Sequence, residues 1–283
     1  MTVSIVLPAK NESAAIGETV AGIFQHYPDA EVIVIDDGSS DNTVEIVRSA
    51  GATVISHPYS KGNGAAIKTG ARAAAGDVIV FMDGDGQHAP SDIPRLLARL
   101  DEGYDLVVGA RQAGSQASIG RSLANGFYNK LATFMTGHRV EDLTSGFRAV
   151  RADKFREFLY LLPNGFSYPT TSTMAFFRAG YSVAYEPIHA AQRVGRSHIR
   201  PLSDGVRFLL IIFKIGTLYS PLKLFAPVSV LAFLIATIWY GCTLVMEGRF
   251  TNMSALLYTG SVMVFLMGLI SEQITALMYK DAG

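Results

Sequence analysis

The sequence predicts an α/β fold, a mostly parallel sheet with helices on both faces, followed by an interfacial helix and a two-helix membrane hairpin. Three observations predict it. Strand-like and helix-like segments alternate from residue 1 to 110, the pattern of a parallel sheet covered on both sides. Val78 to Met82 is an unbroken apolar run, as expected of a strand buried in the middle of such a sheet. Charge disappears from Leu224 to Met246, and Leu256 to Tyr279 carries only Glu272; a helix over the first stretch spans about 34 Å, enough for a bilayer core.

In chain order, the first strand is Val3 to Leu7, ended by Pro8, and a helix from Ala14 to His26 follows with Asn11 as its cap. Glu31 to Ile35 is a second strand leading into Asp36-Asp37-Gly38-Ser39-Ser40-Asp41, a turn that caps the helix Thr43 to Ser49. Thr53 to Ser56 is the third strand. Lys61-Gly62-Asn63-Gly64 opens an alanine-rich helix ending at Gly76, and the strand Val78 to Met82 comes next. Ser91 and Pro94 start a helix to Glu102 that Gly103 stops, and Asp105 to Val108 is a fifth strand.

Ligands of such sheets bind beyond the carboxyl ends of the strands, and the unusual polar residues fall there. Lys10, Asn11 and Glu12 follow the first strand, Asp36 and Asp37 the second, and Asp83, Asp85 and Gln87 the fourth. In an extended backbone the period of two turns Asp83, Asp85 and Gln87 to one side. Gly84 and Gly86 between them leave room for another molecule. Such hard oxygen ligands suit Mg²⁺ or Mn²⁺, ions that keep positions open for substrate phosphates. A glycine-rich dinucleotide loop is missing after the first strand, where Pro-Ala-Lys-Asn-Glu stands instead, and the P-loop pattern is missing too.

The 24 basic and 24 acidic residues balance, so no global field favours nucleic acid. One cysteine, Cys242, excludes an internal disulfide and a cysteine-based zinc site. The sequence divides into residues 1–202, a juxtamembrane amphipathic helix at 203–221, and a hairpin at 222–283 with spans of about 224–246 and 256–279. Val206 to Tyr219 is too short and too charged to span; Arg207 and Lys214 share one helical face, and Pro221 stops this helix on the cytoplasmic leaflet. Arg193, Arg196, Arg200, Arg207, Lys214 and Lys223 precede the first span against Asp204, and the start of the chain lacks the pattern of a signal peptide. The N-terminal part is therefore expected on the cytoplasmic side of the cell membrane.

Pro8-Ala-Lys-Asn-Glu12, Asp36-Asp37-Gly-Ser39, Gly62-Asn-Gly64, Asp83-Gly-Asp85-Gly-Gln87-His88, Gly109-Ala-Arg111 and Thr144-Ser-Gly-Phe-Arg148 occur in the order seen in family 2 glycosyltransferases. The chain resembles the dolichyl-phosphate mannose synthases and polyprenyl-phosphate glycosyltransferases of that family, over residues 1 to 200 and in the hairpin. The resemblance implies a GT-A, Rossmann-like fold. It also implies that Pro8, Lys10, Glu12, Ile35, Asp36, Asp37, Asp83 and Gly84 hold a nucleotide sugar, with Asp83, Asp85 and Gln87 at the metal. Relatives often carry an aromatic residue where this chain has Lys10. Gln192 to His198 resembles a Gly-Glu-Ser-Lys segment of the relatives, with Arg196 in place of the acid and His198 in place of the lysine.

A polyprenyl phosphate acceptor is already ionised and needs no base. The protein must instead hold two anionic groups together, a task that suits arginine. Arg111, Arg121 and Arg193 are the candidates for acceptor and diphosphate phosphates, with Asn125 beside the acceptor and Asp85 central to catalysis. Arg148 is expected to brace the site through a carboxylate such as Asp142, which alternatively touches the sugar. Two readings stay open for His88, a neighbour of metal or diphosphate and a satisfied turn residue, and two for His198, a phosphate contact and a solvated residue. Lys61 and Lys68 are expected at the surface. The expected reaction is inverting transfer of one hexose from a GDP-mannose- or UDP-glucose-class donor to the lipid phosphate. A hydroxyl acceptor and a non-enzymatic membrane scaffold are the rival classes. Two spans make no evident pore, so a separate lipid flippase and a downstream transferase are expected partners, and self-association is open.

Overall fold

The computed structural model describes residues 1–112, 119–165, 167–191, 217 and 219–278, with residues 119–125 described by their backbone alone. It divides into two units, Met1–Gly205 and Val206–Gly283.

The first unit is built on β1 (Val3–Ala9), β2 (Glu31–Asp36), β3 (Thr53–Ser56), β4 (Val78–Phe81), β5 (Leu106–Arg111), β6 (Arg148–Arg151) and β7 (Val183–Ile188), with α1 (Ile16–His26), α2 (Thr43–Ser49), α3 (Asn63–Ala73), α4 (Ile93–Asp101), α5 (Ile119–Thr136), α6 (Ala152–Arg156) and α7 (Tyr168–Arg178) around them. The strands form one seven-stranded sheet in the order β3-β2-β1-β4-β6-β5-β7. Every neighbouring pair is parallel except those of β6, which runs antiparallel to both β4 and β5. The alternation read from the sequence ends at β5, so β6 and β7 are additions to it. Because β6 is reversed, its first residue, Arg148, stands opposite Phe81 of β4 and Val108 of β5. The residues leading into β6 are thereby brought to the edge where β4 and β5 end.

Side-chain alternation along β1 sends successive residues to opposite layers. Ile5 and Leu7 join Ile16, Val20 and Ile23 of α1 (Ile16–His26) in a core that also holds Ile93, Leu96 and Leu100 of α4 (Ile93–Asp101). Each such side chain contributes roughly 1.5–3 kcal/mol on burial. Val6 faces the other layer, where α3 (Asn63–Ala73) approaches so closely that a Cβ on Gly70 would stand 2.2 Å from Val6 Cγ1. Phe81, Phe155, Phe158 and Phe176 fill the rest of that layer, the last from α7 (Tyr168–Arg178).

Several boundaries differ from the sequence reading. The first helix begins at Ile16, and Asn11 does not cap it. Asn11 sits at φ 55°, and its Oδ1 accepts from Ser40 N at 2.8 Å, tying the loops after β1 and β2 together. Pro221 opens a helix of its own, directly after the helical residues Thr217 and Tyr219 give way at Ser220. Most of the expected juxtamembrane helix lies outside the described residues.

Among the described residues, the second unit has two helices long and apolar enough to cross a membrane, Pro221–Glu247 and Asn252–Met278. Their mutual seam is small and spaced by heptads: Ser229, Ala236 and Thr243 on the first helix, Ser254, Ser261, Gly268 and Thr275 on the second. Ser229 Oγ donates to Ser261 O at 2.8 Å. Small seam residues let two backbones approach closely where lipid offers no competing hydrophobic force. The large apolar side chains, among them Leu231, Phe233, Ile238 and Leu266, are exposed. Glu272 accepts from Ser220 Oγ at 3.0 Å and from Leu222 N at 3.1 Å, supplying an acceptor to the free start of the first helix.

Candidate active site

The carboxyl ends of β1, β2 and β4 lie side by side, since Ala9 registers with Asp36 and Val6 with Phe81. Asp36 is buried and its Oδ1 accepts from Ser39 N at 3.0 Å. Asp37 is engaged by its own chain. It accepts from Ser60 Oγ at 2.7 Å, Lys61 N at 2.7 Å and Gly62 N at 2.9 Å, and it pairs with His57 Nδ1 at 2.8 Å. Burial opposes its charge, but these partners prevail and hold the carboxyl at about 2. His57 passes the connection on to Thr69 Oγ1 at 3.0 Å. Sequence reasoning missed His57, although its place just after β3 puts it at the ligand edge. Ile35, expected at the nucleotide, has a fully buried side chain and registers with Pro8 of β1 and Ile55 of β3. Pro8 and Glu12 are partly exposed and Lys10 is exposed on the same edge; Glu12 N donates to Thr43 Oγ1 at 3.0 Å.

The Asp83–Gln87 segment departs from the extended geometry read from the sequence. β4 ends at Phe81, and Gly84 and Asp85 form a turn. Gly86 lies at φ 74°, and Gln87 N donates to Asp85 Oδ1 at 3.1 Å. The turn is therefore closed by the aspartate side chain itself. Its two carboxylates are inequivalent, Asp85 being buried while the Asp83 side chain is 31% exposed. Gly84 also packs closely, because a Cβ there would stand 2.7 Å from Ile16 Cδ1. His88 is buried with its ring stacked on Phe147 at 5.1 Å and its Nε2 3.8 Å from Asp83 Oδ2. Its Nδ1 has no hydrogen-bond partner among the described residues.

Facing this turn is the segment that β6 brings to the same edge. Asp142 is buried and receives Arg111 Nε at 2.7 Å, Arg111 Nη2 at 3.0 Å and Arg111 N at 3.2 Å. The same carboxylate accepts from Thr144 N and Ser145 N, both at 3.1 Å. Arg111 Nη2 also donates to Thr144 Oγ1 at 2.7 Å. Burial works against both charges of the pair. For Arg111 the Asp142 carboxylate, with Asp83 nearby, outweighs it and raises the pKa; for Asp142 the guanidinium and the backbone N–H groups lower it. The expectation that Asp142 pairs with Arg148 is thus overturned in favour of Arg111. Arg148 is fully buried among neutral acceptors, donating to Ser172 Oγ at 2.8 Å, Pro169 O at 3.1 Å, Thr173 Oγ1 at 3.2 Å and Ser145 O. Burial lowers its pKa.

Lys61 is exposed beside the ring of Tyr59, and Lys68 donates to Leu162 O at 3.1 Å and to Asn164 Oδ1, fastening a loop. Arg193 and His198 lie outside the described residues, as do the side chains of Arg121 and Asn125. Ala191 N, at the end of the described first unit, donates to Gln87 O at 2.9 Å.

Among the described residues no group of three His, Cys, Asp or Glu side chains is arranged to hold a metal by itself. Asp83 and Asp85 nonetheless fit a hard divalent ion. Mg²⁺-type ions are commonly bound by one or two carboxylates, with water and substrate phosphates completing the shell. Opposite them, Arg111 has a side chain 25% exposed and an Nη1 with no protein partner among the described residues. Two carboxylates and a guanidinium braced by Asp142 share one edge.

The glycosyl transferase family 2 model matches residues 4–159, more than half of the chain, and the model of the GtrB C-terminal hairpin matches residues 220–277. The chain is 30% identical to a dolichyl-phosphate hexose transferase of Haloferax volcanii, over 75% of this chain and 92% of that protein. It is 29% identical to an undecaprenyl-phosphate 4-deoxy-4-formamido-L-arabinose transferase of Proteus mirabilis, over 99% of this chain and 90% of that protein. Among solved structures it is similar to glucosyl-3-phosphoglycerate synthase from Mycobacterium tuberculosis in complex with Mn²⁺ and UDP-glucose. The TM-score is 0.58 at 26% identity, covering 76% of this chain and 78% of that one. The chain therefore belongs to glycosyl transferase family 2, as a GT-A glycosyltransferase with a two-helix C-terminal hairpin.

Proposed function

We propose that this transferase moves one hexose from a nucleoside diphosphate sugar to a polyprenyl phosphate, with inversion at the anomeric carbon, from the cytoplasmic side of the membrane its hairpin spans. The observation that carries the reading is the pairing on one edge of two carboxylates, Asp83 and Asp85, with an arginine that Asp142 holds in place. An acceptor that is itself a phosphate is supported by the two relatives named above, which act on dolichyl and undecaprenyl phosphates by their names. The basic residues before the first span support the cytoplasmic orientation.

In this reading an ionised oxygen of the lipid phosphate attacks the anomeric carbon as the bond to the nucleoside diphosphate breaks, and the electron pair leaves with the diphosphate. Mg²⁺ or Mn²⁺ held by Asp83, Asp85 and Gln87 would neutralise charge on that leaving group. Arg111 presents Nη1 to an anionic oxygen, and because Asp142 fixes its guanidinium, no side-chain reorganisation accompanies the reaction. Arg121, Asn125 and Arg193 complete the anion contacts. Pro8, Lys10, Glu12 and Asp36 line the nucleotide, while Asp37 shapes the loop beneath it through Ser60, Lys61 and Gly62. The lipid product would reach the far leaflet by a separate flippase and be used there by a second transferase.

The test is sugar transfer in native membranes with labelled UDP- and GDP-sugars and polyprenyl phosphate, with and without Mg²⁺ or Mn²⁺, beside Asp85→Asn. A metal-dependent, acid-labile glycolipid that is lost in the variant is expected, and its anomeric configuration reports inversion. A folded protein that gives no such product with any donor refutes the reading.

A further inference from the structure

Asp83 is the more exposed carboxylate of the pair, and what lies behind it decides where it points. A Cβ added to Gly146 would stand 2.8 Å from Asp83 Oδ2 and 3.3 Å from Tyr168 Oη. The backbone of Gly146 therefore forms the wall against which Asp83 rests. That wall is held from the far side. Tyr168 Oη donates to Gly146 O at 2.9 Å, and Arg148 donates to the adjacent Ser145 O. Tyr168 is itself immobilised: it is 2% exposed, lies edge-on to Phe81 at 6.2 Å and carries the Arg148 guanidinium over its ring at 5.6 Å. Ser167, immediately before it, adopts φ 83°, a left-handed conformation that costs energy for any residue with a Cβ. The Gly146 segment continues to Asp142, whose carboxylate accepts from Thr144 N and Ser145 N and clamps Arg111. One short segment thus supports both the carboxylate that would hold the metal and the arginine that would hold a phosphate.

We propose that Tyr168 is a positioning residue for divalent-metal binding, acting on Asp83 through the Gly146 carbonyl it holds. The inference rests on the reading of Asp83 and Asp85 as metal ligands. Partners behind metal ligands commonly change metal affinity about 10–100-fold when removed, and a phenol acting through one peptide is expected at the lower end.

The experiment is Mn²⁺ binding to the full-length protein in detergent, read from the electron paramagnetic resonance of free Mn²⁺, with saturating UDP in one series and GDP in another. Asp83→Asn should abolish nucleotide-dependent binding. Tyr168→Phe and Gly146→Ala should each weaken it about 10-fold at a temperature where both remain folded. Tyr185→Phe serves as the control, because Tyr185 Oη is buried beside Arg148 without a hydrogen-bond partner among the described residues and its removal should leave Mn²⁺ affinity unchanged. Absence of binding in the unmodified protein, or its survival in Asp83→Asn, overturns the metal reading and this inference together. Loss in Asp83→Asn with wild-type affinity in either Tyr168→Phe or Gly146→Ala overturns the positioning role alone. A merely structural tyrosine would lower Tm without moving Mn²⁺ affinity.

Discussion

Asp142→Asn is the most informative single change to the site. The substitution keeps the shape of the side chain and one acceptor oxygen, which can still receive Thr144 N and Ser145 N. It replaces the other oxygen by an NH₂ group that meets Arg111 Nε and Arg111 N, both of them donors. The guanidinium is left without its counter-charge at a place where the carboxylate is only 5% exposed. Breaking a buried pair from one side costs about 3–5 kcal/mol, and the retained hydrogen bonds put this case near about 3 kcal/mol. For a unit of the size of Met1–Gly205 that corresponds to a fall in Tm of about 6–12 °C. The assay is thermal unfolding at a fixed scan rate, with transfer kinetics measured below the transition. Arg111→Met should cost a comparable amount, and the double variant little more than either single change, because both remove the same interaction. Additive losses in Tm, or an Asp142→Asn protein within about 2 °C of wild type with unchanged kinetics, would refute the assignment of Asp142 as the brace of Arg111.

Two further outcomes follow from the loops around the site. The Asp37 carboxyl sits at about 2 against an ordinary 3.8, so its contribution of about 2 kcal/mol is complete above pH 4, declines as the pH falls and is gone below about 2; Asp37→Asn should be less stable at neutral pH and flatter across that acid window, and parallel stability curves would refute this. Gly64→Ala would place a Cβ 2.0 Å from Pro163 O, forcing the loop before α7 away from α3, so chemical denaturation should show a loss of about 1–3 kcal/mol, and an unchanged midpoint would show that the loop yields freely.

The elements with strong local signals were legible in the sequence. The strand Glu31–Asp36 and the helix Thr43–Ser49 declare themselves by apolar pattern and by the Asp36–Asp41 turn between them. The long uncharged stretches declare the hairpin, and the position of acidic residues after strands declares the ligand edge. Side-chain orientation was not legible where glycines intervene. Alternate spacing of Asp83, Asp85 and Gln87 implies a shared direction only if the backbone stays extended, and Gly86 at positive φ turns it instead. The same glycines suggest space for a ligand, and Gly84 also packs closely against Ile16. His57 and Tyr168 carried no motif of their own; what each does depends on residues 20 and 22 positions away.

The choice of arginine shows why spacing alone could not assign the site. From the sequence, Asp142 has Arg148 six residues away and Arg111 far off, and nearness favours the local partner. The antiparallel entry of β6 reverses that preference. It places Arg148 inside the sheet, opposite both Phe81 and Val108, where its guanidinium is enclosed by the hydroxyls and carbonyl of α7. The turn before β6 is left at the edge, and there β5 ends with Arg111. The distant arginine therefore stays partly exposed at the edge while the near one becomes part of the foundation. A strand inserted in the opposite sense converts two arginines of equal chemistry into one held by Asp142 at the open edge and one that holds the turn supporting Asp83.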